Sequence, residues 1–345
     1  MSGYIPPYTI SNKMFELVSE ISEKVGRITS HKELESKPHL RRNNRIRSIH
    51  SSLKIEANSL SLSDVRDVIN GHLVLGDQKE IQEVKNAYVA YEKIPEIDPT
   101  SISDLKRIHG ILTYRTARES GVFRKGDEGV LSGSECIFVA PPPHMVNELM
   151  RDLMQWVKEN EGVIHPLILS AIFHYEFVFI HPFADGNGRM ARLWHTVLLY
   201  RWRSVFEYIP LESQIERFQN EYYDAIAVCH TKDNSDIFIE FMLDMINQIL
   251  DEVVLQVNRS NSEVSEYVKR MLAVMEYEVP YTSNSIMEAL GLKSKETLRK
   301  NYINPAMELG LIKMTLPDKP NSRNQRYVKP VSYTHLRAHE TLSDL

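Results

Sequence analysis

Two apolar segments, Leu167-Ile-Leu-Ser-Ala-Ile-Phe-His-Tyr-Glu-Phe-Val-Phe-Ile180 and Met190-Ala-Arg-Leu-Trp-His-Thr-Val-Leu198, enclose a polar stretch, His181-Pro-Phe-Ala-Asp185-Gly-Asn-Gly-Arg189. Ile168, Ala171, Ile172, Tyr175 and Phe179 fall on one helical face, and Phe173, Phe177 and Ile180 cover the opposite one. A helix that is apolar all round belongs at the centre of a large domain. Met190, Ala191, Leu193, Trp194, Val197 and Leu198 repeat the pattern. The sequence therefore predicts a mainly α fold around two central helices. Between them lies a glycine-containing loop, a common place for chemistry when a rigid scaffold holds it.

Outward from this pair, residues 11–95 read as helices joined by short polar turns. Met14, Leu17, Val18 and Ile21 form one apolar stripe, and Ile46, Ile49 and Leu53 form another. Pro95 and Pro99 bracket a break, and a helix starts behind Ser101. Gly121, Gly126, Gly129 and Gly133 punctuate the least helical stretch, where Ile137-Phe-Val ahead of Pro141-Pro142-Pro143 predicts a small hairpin. Val146 to Val157 is an amphipathic helix, with Met145, Met150 and Met154 as packing residues.

Near residue 265 the pattern changes. Val268, Met271 and Leu272 predict a helix, Ser283 starts a second that ends at Leu290-Gly291, and Ser294 starts a third that runs through Leu298 and Tyr302 to Leu309-Gly310. Leu311-Ile-Lys-Met-Thr and Arg326-Tyr-Val read as strands on either side of a turn at Pro317-Asp-Lys-Pro. Three helices and a β-wing make a winged helix-turn-helix plan. The last stretch, 331–345, continues none of these patterns and resembles the translation of a sequencing-library adapter, so it is set aside as a non-native tail.

Composition narrows the function classes. The chain has 345 residues, of which 42% are hydrophobic and 25% charged, an ordinary globular balance that excludes a mostly disordered chain. No uncharged apolar run approaches the ~20 residues of a membrane helix, since Leu167–Ile180 is interrupted by His174 and Glu176. The N-terminus lacks the basic-then-apolar pattern of a signal peptide. Cys136 and Cys229, the two cysteines, form neither a disulfide framework nor a zinc site. A cytoplasmic protein without membrane contact is expected.

Net charge is −5, but residues 265–330 hold 11 Lys+Arg against 7 Asp+Glu. Lys293, Lys295, Arg299 and Lys300 cluster at the start of the third helix, where a recognition helix meets DNA phosphates. Winged helices also bind proteins, so the fold leaves DNA or a protein as the partner. Arg41, Arg42, Arg45 and Arg47 read as a helix face that is solvated, paired with Glu33 and Glu35, or in contact with nucleic acid. His109, His165 and His174 lie in apolar helices without His-Glu-x-x-His spacing and read as satisfied histidines.

The residue types of the loop suit one task. Gly186 and Gly188 let backbone N–H groups converge on a point that side chains would obstruct. The loop then opens a helix near Arg189, whose N-terminus offers orphan N–H donors and the positive end of a dipole. Phosphate is the natural occupant of such a terminus. Arg189 and Arg192, three apart, can add planar donors to phosphate oxygens. Asp185 supplies a hard oxygen ligand of the kind that suits Mg2+ bridging phosphates. His181 titrates near neutrality and can take the proton of an attacking hydroxyl. Together they describe nucleophilic attack on a nucleotide phosphate, without a Walker lysine or the kinase HRD and DFG sets.

His181-Pro-Phe-Ala-Asp-Gly-Asn-Gly-Arg-Met-Ala-Arg192 resembles the Fic signature, His-x-Phe-x-Asp/Glu-Gly-Asn-Gly-Arg-x-x-Arg, at every defined position. Thr113-Tyr-Arg to Val122-Phe-Arg124, Phe138-Val-Ala-Pro-Pro-Pro143 and Tyr222-Tyr223 also look like Fic proteins, so the resemblance covers about residues 10–330. It implies a Fic-type helical core with a short β-hairpin flap, and protein AMPylation: AMP passes from ATP to a Ser, Thr or Tyr hydroxyl of a target protein or of the chain itself. On this resemblance His181 is the general base and Asp185 holds Mg2+. Gly186, Asn187 and Gly188 form the anion hole, and Arg189 and Arg192 bind the outer phosphates. The segment from Ser132 and Gly133 to Val139 is the flap that holds the target by strand pairing, and Tyr222 and His230 contact the nucleotide.

Ile46, Ile49, Leu53 and Glu56 share one helical face, which puts a carboxylate at the edge of a buried stripe. It either meets a cationic or hydrogen-bonding partner or reaches solvent at a helix end. The resemblance favours the first reading. Ser52-Leu-Lys-Ile-Glu56 looks like the inhibitory motif Ser/Thr-x-x-x-Glu-Gly/Asn, whose Glu pairs with the second arginine, Arg192, and obstructs the nucleotide site. Residue 57 is Ala where that pattern has Gly or Asn.

The expected organisation is an N-terminal helical region 1–95 with an inhibitory helix at about 40–58, a Fic catalytic core 96–258, and a winged helix-turn-helix domain 265–330. The expected partners are ATP, a hydroxyl-bearing protein and, through 265–330, DNA, with homodimerisation left open. Rival readings are removal of AMP by the same site, transfer of UMP, and a nucleotide-sensing DNA-binding regulator.

Overall fold

The structure, a computed structural model, describes residues 5–30, 38–132, 135–262, 265–276, 279–308, 311–317, 319–320 and 322–330. Gly133, Glu33, Glu35 and the tail 331–345 lie outside the described residues. The chain divides into two compact units, 1–254 and 255–345.

In the first unit the described elements run α1 (Asn12–Ser30), α2 (Pro38–Ile55), α3 (Leu62–Ile69), α4 (Gln78–Glu92), α5 (Ile102–Leu112), β1 (Gly129–Ser132), β2 (Glu135–Val139), α6 (Val146–Asn160), α7 (Pro166–Ile180), α8 (Asn187–Trp202), α9 (Leu211–Arg217), α10 (Gln219–Lys232) and α11 (Asp236–Ser262), the last of which runs past the boundary at residue 254. Short polar side chains start several of them. Ser61 and Asp64 form a reciprocal capping box on α3, Asp77 accepts from two N–H groups of α4, and Ser101 accepts from Asp104 N on α5. Each such cap stabilises its helix by about 1 kcal/mol.

The two apolar segments are α7 and α8, and they pack against each other at the centre of the unit. Phe173, Phe177, Ile172, Met190, Leu193, Trp194 and Val197 are buried. Trp194 Nε1 donates to Pro99 O at 2.9 Å, which satisfies its polar edge inside the core. Met150 and Met154 are buried on α6, but Met145 is exposed because it caps that helix from outside its apolar stripe.

Helix α2 lies across this centre and packs against α4, α8 and α9. Ile46, Ile49 and Leu53 are buried, as their spacing predicts. The arginines of α2 dock the helix. Arg45 pairs with Glu207, Arg47 with Glu252 at 3.5 Å, and Arg42 donates to Asn70 Oδ1 at 2.5 Å. Arg41 and Arg45 lie over the Tyr208 ring, at 5.2 and 5.3 Å from its centroid. Their counterparts are thus groups distant in sequence, because α2 is covered by the chain that follows α8.

The hairpin predicted in 121–143 is β1–β2, antiparallel from Gly129↔Val139 to Ser132↔Glu135, with a register shift between Val130 and Leu131.

The second unit holds α12 (Glu266–Val274), β3 (Pro280–Tyr281), α13 (Ser283–Leu290), α14 (Lys295–Leu298), α15 (Asn304–Glu308), β4 (Lys313–Met314) and β5 (Tyr327–Val328). Its three-stranded sheet is antiparallel, in the order β3-β5-β4. Val268, Met271, Ile286, Leu298, Tyr302 and Ile312 fill its core. The predicted third helix is interrupted by a π-helical turn, Arg299–Ile303. Pro305, which has no N–H to give the preceding turn, follows it and accounts for the wider winding. Strand β3 was not legible in the pattern.

Candidate active site

Helix α7 delivers His181 and α8 collects the loop. His181 closes α7 in the left-handed region, φ 51°, with its N–H on Phe177 O at 3.0 Å. A non-glycine residue there costs on the order of 1 kcal/mol, and it turns the chain abruptly off the helix. The ring donates from Nδ1 to Val178 O at 3.3 Å, which leaves the lone pair on Nε2. Burial lowers its pKa below the ordinary histidine value. A neutral imidazole with a free lone pair is the protonation state a general base needs at neutral pH.

The loop is held from beneath. Phe183 is fully buried and stacks on His109, centroids 3.6 Å apart and 3° from parallel. His109 Nδ1 accepts from Gly121 N at 2.9 Å, so its Nε2–H donates to Asp185 O, also at 2.9 Å. Burial brings its pKa down to about 4 and keeps it in this neutral form. Asn187 Oδ1 accepts from Phe183 N at 2.9 Å, and its Nδ2 donates to Phe183 O at 2.7 Å. The Asn187 side chain is therefore a clasp on the loop, and only its backbone N–H remains for an anion.

Arg124 closes the other side. Its Nε donates to His181 O at 2.6 Å, Nη1 to Gly126 O at 2.8 Å, and Nη2 to Ile180 O at 3.3 Å and to Pro141 O. One buried guanidinium thus joins both ends of the flap to the residue that carries the imidazole.

Gly186 has φ 80°, and a Cβ on it would press against Thr113 Cγ2 at 3.1 Å. The first bond of α8 runs from Met190 N to Gly186 O at 2.9 Å. The N–H groups of Asn187, Gly188 and Arg189 precede it at the positive end of a helix of 16 residues.

Both arginines are buried against carboxylates. Arg192, with its side chain 1% exposed, donates from Nη2 to Glu56 Oε1 at 2.8 Å and to Ser52 O at 2.9 Å, and from Nε to Ser52 Oγ at 3.2 Å. Burial alone would lower the pKa of Arg192; Glu56, Tyr222 and Tyr91 together outweigh it and the net shift is upward. Arg189 meets Asp185 Oδ1 at 3.1 Å and Glu83 Oε1 at 3.4 Å. A Cβ on Gly188 would overlap Glu56 Oε1. Glu56 therefore lies directly over the N-terminal turn of α8, and Gly188 is the residue that admits it.

Glu56 follows the last residue of α2 and sits at the margin of the buried stripe, 36% exposed. Of the two readings open from spacing, the ion-paired one is the geometry observed. Ala57 takes φ 64°, the left-handed position that closes the helix with Ala57 N on Lys54 O at 3.0 Å and Asn58 N on Leu53 O at 3.1 Å.

Tyr222 is buried behind Arg192 with its hydroxyl 3.0 Å from His174 Nε2, so any influence it has on a ligand passes through that arginine. His230 packs on Tyr175 and Phe179 near the end of α7, ring centroids 5.6 and 5.7 Å apart. Ser132 ends β1 opposite Glu135. Sequence reasoning missed the supports. His109 passed for an ordinary satisfied histidine and Arg124 for part of a resemblance, while Glu83 and Asn58 carried no local signal.

A family model described as "Fic/DOC family" matches residues 99–199, and one described as "Filamentation induced by cAMP protein Fic-like, C-terminal domain" matches residues 266–328. The solved structure of a Fic family protein from Desulfovibrio desulfuricans G20 is 42% identical, with a TM-score of 0.73, over 94% of this chain and 98% of that one. The chain belongs to the Fic family. A Fic domain containing signaling protein from Bacteroides thetaiotaomicron shares the fold at 19% identity and a TM-score of 0.59. Among curated Fic relatives, "Protein adenylyltransferase Fic" of Aedes aegypti is 30% identical over 216 residues, 60% of this chain and 41% of that protein. The chain thus spans about two-fifths of the length of the curated Fic relatives it matches. Among the described residues of this Fic chain, no helix is long and apolar enough to cross a membrane.

Proposed function

We propose that this chain is a protein adenylyltransferase held off by Glu56. The observation that carries this reading is one constellation: a neutral imidazole, the open N-terminus of a long helix and two buried arginines, with a carboxylate in the anion position. The name of its curated relatives, protein adenylyltransferase, supports the same reading.

The attacking hydroxyl of a protein side chain loses its proton to His181 Nε2 as its oxygen bonds the α-phosphorus of ATP. The bond from that phosphorus to the bridging oxygen breaks, and pyrophosphate leaves. The N–H groups at the start of α8 stabilise the charge that develops on the phosphate oxygens, and the two arginines hold the leaving group in line. Asp185, 46% exposed on the loop, is the residue to hold Mg2+. A lone carboxylate fits that ion, which takes one or two carboxylates plus phosphate oxygens and water. When bound, it neutralises phosphate charge.

Inhibition is a contest for Arg192. While Glu56 holds it and covers Gly188, the outer phosphates have neither their cation nor their space. The antiparallel pair β1–β2 suits strand pairing with a target segment. On the second unit, Lys293, Lys295, Arg299 and Lys300 are all exposed, which supports a phosphate-backbone contact with DNA, read out by salt-dependent retention of duplex in a gel shift.

The deciding measurement is self-labelling with radiolabelled ATP. Glu56→Gly is expected to raise labelling at least about tenfold, the return of one charge-assisted contact. His181→Ala in either background is expected to lower it by about 100-fold or more, the typical contribution of a general base. Labelling that is unchanged by Glu56→Gly, or that persists in His181→Ala, counts against the reading. If Glu56 instead serves AMP removal, wild-type protein releases AMP from a modified target and Glu56→Gly does not.

A further inference from the structure

The two phosphate-facing arginines are each met by a carboxylate from outside α8, and only one of these belongs to the inhibitory motif. Glu83, on α4, reaches Arg189 Nη1 with Oε1 at 3.4 Å. Its other oxygen, Oε2, accepts from Asn58 Nδ2 at 3.0 Å. Asn58 is buried two residues beyond Glu56, and its Oδ1 accepts from Leu60 N at 3.2 Å. Glu83 therefore ties the first arginine to the turn that aims the inhibitory carboxylate.

Arg189 is 5% exposed, so its guanidinium needs a lasting counter-charge. Asp185 cannot be that partner throughout the reaction. It is the exposed member of the pair and, on the reading given above, the residue that would hold Mg2+. We propose, on the reading of the site given above, that Glu83 is a positioning residue: it remains on Nη1 and holds Arg189 in place after Asp185 has left Nη2 for the cation. Nη2 is then free for a phosphate oxygen, while Nη1 stays tethered to α4. Asn58 fixes the far oxygen of Glu83, so the orientation of Arg189 also depends on the turn 57–60.

The experiment measures Mg-ATP binding by calorimetry on the full chain in the Glu56→Gly background, with self-labelling kinetics alongside. Adding Glu83→Ala is expected to weaken binding about tenfold, and Asn58→Ala about threefold, the sizes for a lost charged orienting bond and a lost neutral one. In kinetics the loss falls on KM for ATP, with kcat at saturation nearly unchanged. The Glu83→Ala effect vanishes when Arg189 is already Ala, as a double-mutant cycle requires of a residue acting through that arginine. Glu83→Gln keeps the volume and the Asn58 contact, gives an intermediate loss, and stands in should the alanine variant not fold. Equal affinity with and without Glu83, or a loss that survives in Arg189→Ala, overturns the proposal alone. A Glu56→Gly protein with no Mg-ATP affinity overturns both the proposal and the functional reading beneath it.

Discussion

The loop 183–189 and the turn 56–60 meet across the Arg192–Glu56 ion pair, and they are held in different ways. The loop is fixed from every side: Phe183 stacks on His109, Asn187 closes on both backbone groups of Phe183, and Arg124 grips the carbonyl of His181. The turn carries a left-handed alanine and leans on α4 through Asn58–Glu83 and through Ser59, whose N and Oγ reach Glu80 at 2.9 and 2.7 Å on the surface. On the proposed reading, the side that binds phosphate is preorganised, as electrostatic stabilisation of a transition state requires. On the same reading, the blocking carboxylate is carried by the side with fewer buried contacts, where local opening costs less. A switch of this kind can release without disturbing the chemistry it releases.

Acid separates the two regions most strongly. Burial depresses His109 to about 4 and His195 to about 3, and drives His174 well down. Two of these, His174 and His195, lie in the core behind Arg192, and His109 lies under the loop. Their folded values are below the ~6.5 of the unfolded chain, so the unfolded state takes up protons that the folded state refuses. Stability is complete above pH ~6.5 and falls as pH drops toward about 4, by at most ~1.4 kcal/mol per pH unit for each group. Together they should remove several kcal/mol between pH 6.5 and 5. Urea unfolding at both pH values tests this, and a flat midpoint sinks it.

A second separation uses Arg124. Arg124→Met leaves the carbonyls of His181, Gly126, Pro141 and Ile180 without their donor. The expected cost is about 3 kcal/mol, with faster amide exchange across 125–141. Removing Glu56 from the other side should shift the melting temperature less: the buried Arg192 loses its carboxylate, but the place vacated is 36% exposed, so water and solvent anions reach the guanidinium, which also keeps both Ser52 acceptors. Equal losses from the two substitutions would erase the contrast.

How much of this was legible in the sequence follows from range. Helices α7 and α8 announce themselves because every face is apolar, and the loop because its types crowd into twelve positions. Glu56 was visible through a shared helical face. Arg124, His109 and Glu83 were not, since each acts on a partner 57, 76 or 106 residues away, and no local period encodes such a meeting. For the same reason Glu207 and Glu252 were not legible as partners of the α2 arginines, for which the sequence offered solvent, the nearby Glu33 and Glu35, or nucleic acid. In the second unit, Pro305 was visible, but the π-helical turn it follows leaves no trace in hydrophobic spacing.

The smallest expected effect probes the strain in the turn itself. Ala57 sits at φ 64°, closing α2 just past Glu56. A Cβ in the left-handed region is crowded by the adjacent carbonyl at a cost of roughly 1–2 kcal/mol, a strain glycine does not carry. Glycine adds some unfolded-state entropy, so Ala57→Gly should leave a net gain of about 0.5–1 kcal/mol and a rise of roughly 1–4 °C in melting temperature. The turn becomes easier to close with Glu56 in its seat, so basal self-labelling should not rise. A melting temperature that stays put or falls would mean that the turn stores no strain. The ease of releasing Glu56 would then have to come from its contacts with α4 alone.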